Sequence, residues 1–147
     1  MQKKYWDDFK LGERTVTQAI TITEAHLVAW AGLTMDFYPL HMDEEFAKKT
    51  PFGTRIAHGP LIFAISVGLV FMSGWFEDSV IAWVGLENLR ITAPTRIGDT
   101  IRVEVEVKEK RETSKLERGI IVLRYKIKNQ KDQEVMTFDF IELMHRR

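Results

Sequence analysis

The chain has 147 residues, 45% hydrophobic and 29% charged, the composition of a folded domain rather than of a disordered or fibrous chain. Basic and acidic side chains balance at 21 each, which gives no broad electrostatic case for nucleic acid or an anionic membrane as partner. No cysteine is present, which excludes disulfides, thiolate metal ligands and a cysteine nucleophile, and which suits a cytoplasmic protein.

The first residues, through Asp8, lack the apolar stretch of a secretory leader, so export is not expected. Residues 15–22 are short and β-branched and predict a first strand. Thr23 is placed to cap a helix, with Glu24 in its first turn and Leu27, Trp30 and Ala31 along one face. Asp36-Phe37-Tyr38-Pro39-Leu40-His41 reads as a loop, because Pro39 stops a helix and restrains Tyr38. Asp43 to Lys49 predicts a short second helix, followed by a turn around Thr50-Pro51-Phe52-Gly53.

From Gly59 to Phe76 no side chain is charged. The run is near the minimum for a membrane span, but it carries Pro60, Ser66, Ser73 and two glycines and has no basic flank. A buried helix starting at Gly59, with Pro60 in its first turn, is the better reading. Beyond it the chain turns to strands. They are expected at Val80–Ala93, closed by Pro94, then at the alternating Ile101, Val103, Val105 and Val107, then at Gly119–Lys128 and Val135–Met144. In the third of these, Ile121, Leu123, Tyr125 and Ile127 form the inward set.

One antiparallel sheet cannot cover both sides of a helix that is apolar all round. A curved sheet wrapped around the helix, with a second subunit beyond it, satisfies the pattern. This predicts an α+β protein in which residues 1–147 form a single hot-dog domain that assembles as a homodimer.

Two sites carry chemistry. Asp36 and His41 offer a carboxylate and an imidazole a bent loop apart, the material of proton transfer near neutral pH. His58-Gly59 opens the apolar helix, whose free N–H groups can hold a developing oxyanion. Taken singly, each feature also has a plain structural explanation: a turn-forming aspartate, a packed histidine, a glycine before proline. The four histidines (26, 41, 58 and 145) lack the local spacing of a zinc site, so no metal is expected.

The stretch Trp30 to Leu61 resembles the hydratase motif of the MaoC-like dehydratases, the group that includes the R-specific enoyl-CoA hydratases. The family pattern runs approximately F-A-x-x-S-G-D-x-N-P-x-H, then x-D, and ends in I-x-H-G. Here it reads Trp30-Ala31-Gly32-Leu33-Thr34-Met35-Asp36-Phe37-Tyr38-Pro39-Leu40-His41, then Asp43, Ala47, Phe52 and Ile56-Ala57-His58-Gly59. Ile97-Gly98-Asp99-Thr100 resembles the family's downstream GD turn.

The resemblance implies a hydro-lyase acting on an enoyl-CoA or an acyl-carrier thioester. Asp36 and His41 would form the dyad that activates water, Gly59 N–H would hold the thioester oxygen, and Tyr38 and His58 would line the substrate site. No cofactor is implied, coenzyme A being part of the substrate. Tyr38 stands where Asn is common, and Thr34 and Met35 replace Ser and Gly, which implies an acyl group of different shape. Arg90, Arg96 and Lys115 could meet coenzyme A phosphates, but the sequence singles out none of them. Two other readings use the same residues: a hot-dog thioesterase, and a non-catalytic acyl-thioester-binding subunit.

Overall fold

Strand β4, Thr100–Glu112, is the spine of the molecule, and its composition explains why. Ile101, Val103, Val105 and Val107 are buried on one face, while Arg102, Glu104, Glu106 and Lys108 stand on the other. The computed structural model describes residues 4–76 and 78–147. In it β4 pairs antiparallel with β5, Arg118–Lys128, which pairs with β6, Glu134–His145, which pairs with β3, Val80–Ile91. The outer edge beyond β4 is completed by β1, Arg14–Val16, and β2, Ile20–Thr21.

The expected first strand, 15–22, is therefore broken in two. Between Val16, opposite Glu104, and Ile20, opposite Ile101, the outer chain advances four residues against three. The extra residue is taken up at Thr17, whose hydroxyl accepts the Val103 N–H at 3.0 Å in place of a backbone carbonyl.

The inner face of the sheet is an aromatic and aliphatic floor. Val103, Val105, Leu123, Tyr125, Ile127, Phe138 and Phe140 are all buried there. Across it lies helix α4, Gly59–Met72, whose Phe63 meets Phe138 edge-on at 5.0 Å between ring centroids. Leu61, Ile62, Leu69 and Val70 of α4 join the same core. This is the hot-dog arrangement, a curved antiparallel sheet around one apolar helix.

The helix is 14 residues long, shorter than the uncharged run that contains it. It ends at Ser73, and Gly74 then turns the chain with a φ of +72° that favours glycine. Among the described residues no helix is long and apolar enough to cross a membrane. The side of α4 away from the sheet is incompletely covered, with Gly68, Phe71 and Met72 exposed.

Before α4 come three smaller helices. Helix α1, Glu24–Thr34, starts at Thr23 as expected, and the cap is completed by His26, whose Nδ1 accepts the Thr23 N–H at 2.9 Å. Helix α2, Pro39–Met42, lies where the sequence suggested only loop: Pro39 does not stop a helix but begins one, in the first-turn position where its missing N–H costs nothing. Helix α3, Glu44–Ala47, is capped by the Asp43 carboxylate, which accepts the Phe46 N–H at 3.0 Å.

Candidate active site

Two backbone hydrogen bonds bring the acid/base segment to the start of α4. The Ile56 N–H donates to Leu40 O at 3.4 Å, and the Ala57 N–H donates to Thr95 O at 2.7 Å. Ile56 also forms an isolated bridge to Arg96. Residues 36–41, 56–59 and 93–96 therefore meet at one end of the helix.

His41, carried on α2, approaches Ile56 O with its Nδ1 at 2.7 Å. A carbonyl oxygen only accepts, so Nδ1 holds the proton and Nε2 keeps its lone pair. Sequence reasoning found His41 but not this anchor, which lies 15 residues away and appears only once the two segments pair.

His58 is fully buried and stacks on His41, with ring centroids 3.9 Å apart and planes at 28°. Its Nε2–H donates to Asp36 O at 3.0 Å, which ties the loop backbone to the start of α4. Burial holds the His58 pKa below its ordinary value, opposed by the Asp36 carbonyl and assisted by the charge His41 can carry. His58 is therefore a neutral strut. Expected to line the substrate site, it lies beneath His41 and not at the cavity surface.

Asp36 is exposed and follows Met35, whose left-handed backbone (φ 67°) ends α1. The Asp36 carboxylate accepts the Tyr38 N–H at 3.3 Å. Ligand atoms of Asp36, His41 and His58 all lie within 4.8 Å of one another. One nitrogen of each histidine is already committed to a carbonyl, which leaves one nitrogen on each ring and a single carboxylate at this spacing. Tyr38 is exposed, its ring edge-on to both His41 and Phe46 at 6.1 Å.

His41 and Gly59 line a common cavity of about 120 Å3, walled by Ile62, Ile91, Ala93 and Val135. Gly59 is the first residue of α4, so its N–H has no acceptor within the helix. The glycine also keeps the cavity open, since a Cβ there would stand 2.8 Å from Ile91 Cδ1. A base and a helix-start N–H thus share one apolar-walled space, with the exposed Asp36 carboxylate beside the base and outside the cavity lining. The arrangement can move a proton beside a polarised carbonyl.

The family model described as "MaoC like domain" matches residues 8–126. An (R)-specific enoyl-CoA hydratase of Rhodospirillum rubrum is 38% identical over 104 residues, covering 70% of this chain and 69% of that protein. Protein MaoC of Klebsiella aerogenes is 37% identical over 108 residues, 74% of this chain but 32% of its own length, so the chain spans about a third of that relative. Among solved structures, one described as a monoamine oxidase regulatory protein from Archaeoglobus fulgius superposes with a TM-score of 0.94 at 36% identity, covering 99% of this chain and 96% of that one.

Proposed function

The chain belongs to the MaoC-like dehydratase family, and from that premise we propose that it hydrates a trans-2-enoyl thioester reversibly to the R-3-hydroxyacyl thioester. The observation that carries this reading is that His41 and Gly59 line one cavity while the Asp36 carboxylate lies within 4.8 Å of His41. The hydratase name of the Rhodospirillum relative supports it.

In the proposed reaction the thioester carbonyl points at the start of α4, where the Gly59 N–H receives the oxygen as it gains enolate charge. One water lies between His41 Nε2 and the Asp36 carboxylate. Its oxygen bonds to the β-carbon, its proton passes to the dyad, and the dyad returns a proton to the α-carbon as the enolate collapses. The Nδ1 bond to Ile56 O fixes the tautomer that makes Nε2 the acceptor, and the neutral His58 holds the ring in place without a competing charge. Tyr38, exposed and outside the cavity lining with its ring edge-on to His41, is proposed to limit the acyl group's shape from the rim.

The active species is proposed to be a cytoplasmic homodimer. Trp83, Val84, Leu89 and Ile91 of the edge strand β3 are exposed, as are Phe71 and Met72 of α4, an apolar surface that a second copy would cover.

Crotonyl-CoA tests the reaction directly. The conjugated-thioester absorbance is expected to fall with no free thiol released and with 3R product formed. Release of thiol without hydration would mean hydrolysis instead, and binding without turnover across chain lengths would mean a non-catalytic subunit. Sedimentation is expected to give twice the chain mass of 17.1 kDa.

A further inference from the structure

Most buried polar side chains of this protein spend their polar atoms within the chain. Thr17, Ser66, Ser79, Asn129 and Asp139 are at most 7% exposed, and each makes a side-chain hydrogen bond. Thr95 does not. It is 4% exposed, and its hydroxyl makes no hydrogen bond among the described residues. Nor is that hydroxyl sealed into the packing, as the unpartnered oxygens of Tyr125 and Glu142 are. A hydroxyl on a buried residue that is neither bonded nor sealed calls for a partner from outside the chain.

Its position shows what that partner can be. The Ala57 N–H donates to Thr95 O at 2.7 Å, beside the Ile56–Arg96 bridge, so Ala57 and Thr95 stand opposite one another on paired segments. Both line the apolar cavity that His41 and Gly59 share. Two residues beyond Ala57, Gly59 begins α4 with an N–H that has no acceptor in the helix. Of the described residues that line this cavity, His41 and Thr95 alone carry side chains that can donate a hydrogen bond. His41 has committed its Nδ1–H to Ile56 O, which leaves Thr95 as the free side-chain donor of the wall.

A carbonyl oxygen has two lone pairs, and the Gly59 N–H can meet one of them. We propose that the Thr95 hydroxyl donates to the other, so that a backbone N–H from α4 and a hydroxyl from the segment opposite Ala57 hold the thioester oxygen together. The inference rests on the hydratase reading above and adds a catalytic residue to that site. Thr95 keeps its hydrogen throughout; its bond to the oxygen strengthens as enolate charge develops there and weakens again as the α-carbon takes its proton. A neutral donor also suits so apolar a wall, where a fixed cation would need a partner of its own.

Thr95→Val keeps the shape of the side chain and removes only the hydroxyl. Because that hydroxyl bonds to nothing within the chain, the melting temperature of the variant should equal or exceed that of the wild type. With crotonyl-CoA, kcat should fall by on the order of 10²-fold while KM changes far less, the pattern of a donor used mainly in the transition state. Thr95→Ser restores the hydroxyl and should restore most of the rate. Infrared difference spectra of unreactive butyryl-CoA, isotope-labelled at the thioester carbonyl, read the bond itself. The bound carbonyl stretch should lie at lower frequency on the wild type and on Thr95→Ser than on Thr95→Val.

Wild-type kcat in Thr95→Val, a carbonyl stretch that is the same on that variant as on the wild type, or a clear fall in its melting temperature would each overturn the role of Thr95 and leave the hydratase reading standing. A Thr95-dependent carbonyl stretch in a protein that does not hydrate crotonyl-CoA would overturn the hydratase reading and leave the donor standing. Failure of the wild type to bind butyryl-CoA would overturn both.

Discussion

Asp139 and Glu142 lie on the same strand, β6, and both are fully buried, yet they face opposite sides of the sheet and meet opposite environments. Asp139 is on the outer face, where Arg124, Lys108 and Asn88 all donate to it. Burial works against its charge, but those three donors outweigh it and hold its pKa at about 2. Glu142 is on the helix side with Phe138 and Phe140, and neither of its oxygens has a hydrogen-bond partner; burial alone pushes it up to about 8. Burial does not decide protonation by itself; the partners do.

His41 and His58 each give one nitrogen to a backbone carbonyl, which fixes which nitrogen carries the proton, but the buried Nδ1 of His58 has no partner and burial lowers its pKa, so His58 stands between the two patterns. Glu142 and the neighbouring Tyr125, whose buried hydroxyl is also unpartnered, follow the second. They are kept neutral by their surroundings rather than bound by them.

Asp139→Ala should break the contrast most severely. It leaves the Arg124 and Lys108 charges facing an empty site, and chemical denaturation should show a loss of about 3 kcal/mol, the low end for such pairs because both cations are partly exposed. Glu142→Gln should act through pH. Between the ordinary carboxyl value of 4.5 and about 8 the unfolded chain has released a proton that the folded chain keeps. Wild-type stability should therefore fall across that window, by up to about 1.4 kcal/mol per pH unit, and level off above it. The variant should show a flat profile there and exceed wild type at pH 9 in thermal melts. Tyr125→Phe removes a hydroxyl that bonds to nothing, so its effect should be smallest, within about 1 kcal/mol of neutral by the same denaturation measurement.

Much of this was legible from period and punctuation. Val103, Val105 and Val107 alternate with charges, so β4 and its buried face follow directly, and Gly59-Pro60 marks the start of α4. Asp36 and His41 were visible as chemistry because proline bends the segment between them. The same alternation that places Phe138 and Phe140 inward also places Glu142 inward, a signal present in the sequence and easily passed over because glutamate reads as surface.

Other features depend on pairings the chain order hides. The bulge at Thr17 arises because its hydroxyl competes with the ladder, and an isolated β-branched run carries no sign of that. The His41–His58 stack, the Ile56 anchor and the Asp99–Gln130 bond exist only once distant segments meet. The helix is shorter than its uncharged run because Gly74 turns the chain before Trp75 and Phe76 return to the core.

Asp36 is a third kind of carboxyl, exposed and beside a histidine instead of buried among partners or without them. Asp36→Asn keeps the shape of the side chain and removes its charge, so the far-UV spectrum and melting temperature should stay those of the wild type. The decisive measurement is kcat for crotonyl-CoA hydration by this variant: a fall of roughly 10²–10⁴-fold is expected for loss of a general base, and turnover equal to wild type would contradict the assignment of Asp36 and His41 as the group that activates water.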